Sequence, residues 1–94
     1  MEPAELMRGL LDLADEVGLE VRAVRAGVDG DPPVSSGVCR VRGRVWVVLS
    51  AHDPVDAQLA ELAAGLVAHA GPDLDERYLP PALRDVLDRV APRS

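Results

Sequence analysis

Few side chains in this 94-residue chain are of types that do chemistry, and their spacing decides what they can do. Cys39 and His52 have the identities of a thiol nucleophile and its base. A reactive thiolate needs a base or a cation within hydrogen-bond reach. In a hairpin, Cys39 falls opposite residues near Val47, and His52 lies five residues further on, roughly 16 Å of extended chain. Flanking arginines point to the other face of the strand. Cys39 therefore reads as a buried structural thiol among apolar strand residues, and a single cysteine makes no internal disulfide.

Ser35, Ser36, His52 and Asp53 have better geometry, because antiparallel pairing brings the start of one strand near the end of the next. A serine beside a histidine and an aspartate is a hydrolase-like arrangement. The chain has no nucleophile-elbow pattern and no recognisable oxyanion loop. Asp53 precedes Pro54, where its expected task is capping a helix. His52 and His69 stand near opposite ends of one helix, more than about 20 Å apart at ~1.5 Å per residue, so they are not a metal pair. Asp29-Gly30-Asp31 reads as a turn, because the remaining ligand positions of a calcium loop are missing. No metal ion, cofactor or catalytic residue is expected.

The remaining cluster is basic. Val38-Cys39-Arg40-Val41-Arg42 alternates apolar and basic residues, and Gly43 turns the chain into Arg44 and the apolar run Val45-Trp46-Val47-Val48-Leu49. Period-two alternation places successive side chains on opposite faces of a sheet. A run apolar on both faces is a central or doubly covered strand. Hairpin register is open. An odd-numbered loop puts Arg40, Arg42, Arg44 and Trp46 on one face. A two-residue loop, the commonest length, joins Trp46 and Val48 to Cys39 and Val41 instead. In either register, apolar surface remains on the face without helices, as a partner or a homodimer requires.

The elements that position these residues follow from periodicity. Pro3 opens a helix over 3–17, with Leu6, Leu10, Leu13 and Val17 in one stripe and Gly18 as its stop. A charged strand over 19–25 suits an edge. A Gly- and Pro-containing loop covers 26–36, and strands follow at 37–42 and 44–50. A second helix starts at Asp53-Pro54, buries Val55, Leu59, Leu62, Leu66 and Ala70, and ends at Gly71-Pro72. A connector over 73–80 leads to a helix from Pro81 to Val90. The expected fold class is α+β in the order α-β-β-β-α-α, a three-stranded antiparallel meander with helices packed on one face. Residues 1–94 form one domain.

Composition narrows the function classes. Lys, Asn, Ile, Phe and Thr are absent; the codons of the first four are AT-rich, which points to a GC-rich bacterial genome. The net charge of −6 argues against general nucleic-acid binding. Charge is unevenly spread: residues 1–20 carry net −5, residues 21–49 net +3 and residues 50–94 net −4. The strand region is thus basic between acidic helices. The N-terminus lacks the basic region and apolar stretch of a signal peptide, and no run is long enough to span a membrane. A cytoplasmic location is expected.

Ser36-Gly37-Val38-Cys39-Arg40-Val41-Arg42-Gly43-Arg44 resembles the signature of a small bacterial family with no assigned function, over most of the chain from Leu10 to Leu87. More remotely, the element order resembles the core of zincin-like, phage-repressor-cleaving metallopeptidases. In those enzymes a Ser-Gly-x-Cys-like strand entry and a hairpin precede a helix bearing His-Glu-x-x-His. The matching helix here reads Ala60-Glu61-Leu62-Ala63-Ala64. Glu61 matches the general-base position, and both zinc-ligand positions are alanine. The resemblance implies a non-catalytic scaffold, because alanine cannot bind zinc.

Together these readings point to a non-enzymatic protein-interaction or self-association domain, with Arg40, Arg42, Arg44 and Trp46 as its interaction residues. Its expected partner is another protein or a second copy. The alternative is a small hydrolase or an inactive metallopeptidase-like remnant.

Overall fold

Helix α1 (Pro3–Val17), strands β1 (Glu20–Val24), β2 (Gly37–Val41) and β3 (Arg44–Ser50), and helices α2 (Val55–Glu76) and α3 (Pro81–Val90) follow one another in a computed structural model that describes residues 2–24 and 36–90. Ser35, the Asp29-Gly30-Asp31 turn and the expected last residue of β1 lie outside the described residues. The fold is α+β with the expected element order.

The sheet is mixed, not an antiparallel meander. Its order is β1-β3-β2, with β1 parallel and β2 antiparallel to β3. The reason lies in the strands' composition. Only β3 is apolar along both faces, and the central position is the one where both flanks are paired and both faces partly shielded. The strands bearing Glu20, Arg22 and Arg40 take the edges, where charge is tolerated.

All three helices contribute to a core on one side of the sheet. Val45, Val47 and Leu49 of β3 meet Leu59, Leu62, Ala63 and Leu66 of α2, while Leu10, Leu13 and Ala14 of α1 and Leu83 and Leu87 of α3 close the cluster. Val55, expected in the buried stripe of α2, is instead 41% exposed, because the helix begins beyond the sheet's end. Gly18, at φ 76°, ends α1 in the left-handed conformation, and Leu19 then enters the core.

Helix α2 runs past its expected stop. Ala70 is non-helical (φ −144°, ψ 31°) and the helix resumes through Gly71 and Pro72 to Glu76. Pro72 falls in the first turn after this kink, where its missing N–H leaves no bond unmade. Burial of Leu74 holds the added segment in place. Its C-terminal carbonyls are bound by Arg84 from α3, whose guanidinium donates to Leu74 O (3.0 Å) and Arg77 O (2.6 Å). Arg77 itself forks between Asp73 (2.9 Å) and Glu16 (3.2 Å), which ties α2 to the end of α1.

The tightest contact is between α2 and β3. Gly65 lies over Val47, and a methyl group at Gly65 would collide with Val47 Cγ2. Gly65→Ala should therefore destabilise the protein by about 1–3 kcal/mol from overpacking, against a helix-propensity gain of ~1 kcal/mol. Gly71→Ala, which meets open space, should not. Arg84→Met should cost about 1–3 kcal/mol, because it leaves the Arg77 carbonyl unmet and takes a second donor from Leu74 O. Urea denaturation of the three variants checks each expectation.

Candidate functional site

The register of the hairpin decides which basic side chains stand together. Val41 pairs with Arg44, Arg40 with Val45, Cys39 with Trp46 and Val38 with Val47. Only Arg42 and Gly43 remain in the loop, with φ 52° and 79°. Positive φ at both central positions is the type I′ turn, whose twist matches that of the strands. Arg42 is the only described non-glycine residue with positive φ. Asn would be the favoured residue there, and a left-handed arginine costs about 1 kcal/mol or more.

This register divides the expected interaction residues. Arg44 and Trp46 share the face turned away from the helices with Cys39 and Val41. Arg40 stands on the opposite face, paired with Val45 one step from the turn, and is exposed. Arg42 is at the tip. Strand β1 adds to the helix-free face, because Glu20 pairs with Trp46 in the parallel register. Arg22 places its guanidinium 5.0 Å from the centre of the Trp46 ring. It also pairs with Glu20 at 3.3 Å. A cation over an indole is attracted by the ring's electron-rich face. The Trp46 N–H is enclosed and has no hydrogen-bond partner among the described residues. Sequence reasoning missed Arg22, since only the parallel pairing of β1 brings it to Trp46.

Cys39 is exposed, against the expectation of a buried thiol. The two-residue loop turns it to the face without helices, so the apolar neighbours in sequence do not cover it.

Ser36, His52 and Asp53 come to one end of the sheet, as antiparallel pairing requires, but they are bonded for structure. The Ser36 N–H donates to Asp53 Oδ2 (2.7 Å), and the Ser50 N–H donates to Ser36 Oγ (2.9 Å). The His52 N–H reaches Ser50 Oγ at 3.3 Å, and Ser50 is fully buried. Among the described residues no hydrogen bond links the His52 ring to Ser36. Asp53 makes no side-chain cap on α2, contrary to expectation; Pro54 holds the N-cap position. Its carboxylate instead fastens the start of β2 to the start of α2. The Ser36 amide, then the Ser36 hydroxyl, hold the Asp53 carboxyl below its ordinary pKa, with a smaller contribution from His52.

His69 is also structural. Its Nε2–H donates to Val17 O at 2.8 Å, so it satisfies a carbonyl left over at the end of α1 rather than the end of its own helix. Among the described residues no three His, Cys, Asp or Glu side chains converge on a point that could hold a metal ion. Glu61 stands half-buried on α2 between Ala60 and Ala64. A cavity of about 250 Å³ between α2 and α3 is lined mainly by apolar groups, with Arg84 on its wall already bonded to carbonyls. Among the described residues no helix is long and apolar enough to cross a membrane.

No protein-family model, curated protein or solved structure matches this chain.

The Asp53 bond carries a pH dependence. A carboxylate whose pKa is lowered by folding stabilises the native state above its unfolded value, and that stability is lost as pH falls through the folded value. Asp53→Asn should lower Tm at pH 7, and the gap from the parent should close below about pH 4. Thermal melts followed by circular dichroism between pH 3 and 8 measure both.

Proposed function

We propose that this protein is an interaction domain, which docks an acidic and partly apolar protein surface onto the sheet face opposite its helices. The observation that carries this reading is the juxtaposition of Trp46, Arg22, Arg44 and exposed Val41 on that face, outside the hydrophobic core. Arginine and tryptophan concentrate binding energy at interfaces, because each offers a large surface with a polar handle. The hairpin tip supports the reading. Arg42 occupies a backbone conformation that favours Asn or Gly, so the turn forgoes stability to present a cation. The bonds that fix Ser36, Asp53 and Ser50 to one another argue against a hydrolytic set. The metallopeptidase resemblance fits the same reading, since Ala60 and Ala64 supply no ligand. We place the domain in the cytoplasm, a reducing compartment in which an exposed lone thiol such as Cys39 persists.

Arg42→Asn separates the tip's two roles. It should raise stability by about 0.5–1 kcal/mol by relieving the turn, yet weaken capture of partners from a native lysate. Trp46→Ala and Arg44→Glu should abolish capture. Unchanged capture profiles for all three, stoichiometric zinc by elemental analysis, or labelling of Ser36 by a serine-reactive probe would overturn the proposal.

A further inference from the structure

The proposed interaction role leaves the partner open, and the edge of β2, which no described strand pairs, points to one. In a two-residue hairpin the flanking pair is hydrogen-bonded, here Val41 with Arg44, and bonded and non-bonded pairs then alternate. Cys39 and Gly37 therefore direct their backbone groups to β3. Val38 and Arg40 direct theirs outward, away from the sheet. Both residues are exposed, and among the described residues no strand pairs with this edge. The other edge, β1, carries a Glu20–Arg22 ion pair of the kind that discourages strand addition. The β2 edge holds no acid and no proline.

We infer that two copies of this chain join through antiparallel pairing of their β2 edges about a two-fold axis at Cys39. This inference rests on the reading of the domain as an interaction module and names one partner for it. The sequence of β2 is self-complementary in this register. Val38 faces the partner's Arg40, and each such pair exchanges both N–H···O=C bonds with its outward groups. No arginine directly opposes an arginine. Cys39 faces the partner's Cys39 in a non-hydrogen-bonded pair, whose Cα atoms stand about 4.5 Å apart. At each end the partner's Arg42 comes beside Ser36, whose amide is bound to the Asp53 carboxylate, so a cation meets an anion. That same bond withdraws the Ser36 N–H and ends the free edge at Gly37. A register centred one residue later would oppose Arg40 to itself, which like-charge repulsion disfavours. The product is one continuous sheet with both copies' Trp46 and Cys39 in a row on the helix-free face.

Sedimentation equilibrium at about 100 μM protein, where even a small interface is occupied, should give twice the 10.0 kDa chain mass. Val38→Pro removes an N–H that the monomer does not use, and should give the single mass with an unchanged circular dichroism spectrum. Should that variant fail to fold, Val38→Arg sets like charges against the partner's Arg40 on an intact backbone, and should also give the single mass. Diamide, which takes up two electrons and two protons from a pair of thiols, should link the copies, since their Cα separation falls in the disulfide range of roughly 4.4–6.8 Å. Cys39→Ser should keep the doubled mass and lose the link. A single mass for the parent chain, a doubled mass in both Val38 variants, or a dimer that does not link would overturn the pairing. A monomer whose capture still depends on Trp46 and Arg44 overturns the pairing alone. A β2-paired dimer whose capture ignores those residues overturns only the face-docking reading.

Discussion

The approach of α2 to β3 at Gly65 fixes most of what this molecule can do. Val47 reaches into the space a side chain would occupy on the helix, and both residues are shut off from solvent. With that contact made, the helix-facing side of β3 is sealed by Leu59, Leu62 and Leu66, and alternation leaves Trp46 and Val48 on the side away from the helices. The division into a packed face and a presenting face is thus one geometric fact seen from two sides. Close packing in protein interiors is unforgiving of added volume, so the division has little freedom to drift.

Around that contact, polar groups serve as fasteners. Asp53 binds the Ser36 amide, His69 the last carbonyl of α1, and Arg84 the end of α2. Each meets a backbone group at the end of an element. Their common feature is that each joins two different elements, His69 and Val17 being the most distant in sequence. Ser36, Asp53 and His69 are thereby spent on tertiary structure, while among the described residues the hairpin's Arg40, Arg42 and Arg44 carry no such task.

Local features of the fold were legible in the sequence. The α1 and α3 boundaries and the extent of β3 follow from Pro at the first helical turn, apolar periodicity and an unbroken run of apolar residues, all of which act over a few neighbours. What escaped was long-range. Parallel pairing of β1 with β3 is a choice between flanks, and no residue within β1 encodes it. The exposure of Cys39 hung on whether the turn held two residues or three. Arg42 conceals the answer, since an Asn-Gly pair would have announced a type I′ turn and Arg-Gly does not. The continuation of α2 past Pro72 depended on Leu74 finding the core and on Arg84 arriving from α3, neither visible in the segment itself. Of the candidate site, the residues Arg44 and Trp46 were legible together, whereas Arg22 joined them only through the sheet's topology.

The parallel alignment of β1 with β3 also orders events in time. The hairpin closes over two residues and can form with little loss of chain entropy, whereas Val21 and Val47, far apart in sequence, meet only at a greater entropic cost. Assembly that starts from the hairpin and the helix laid on it would leave the opposite flank of β3 as a template awaiting the N-terminal segment. A nascent chain emerges in the reverse order. Its first helix and strand must wait, unpaired, until the central strand has been synthesised.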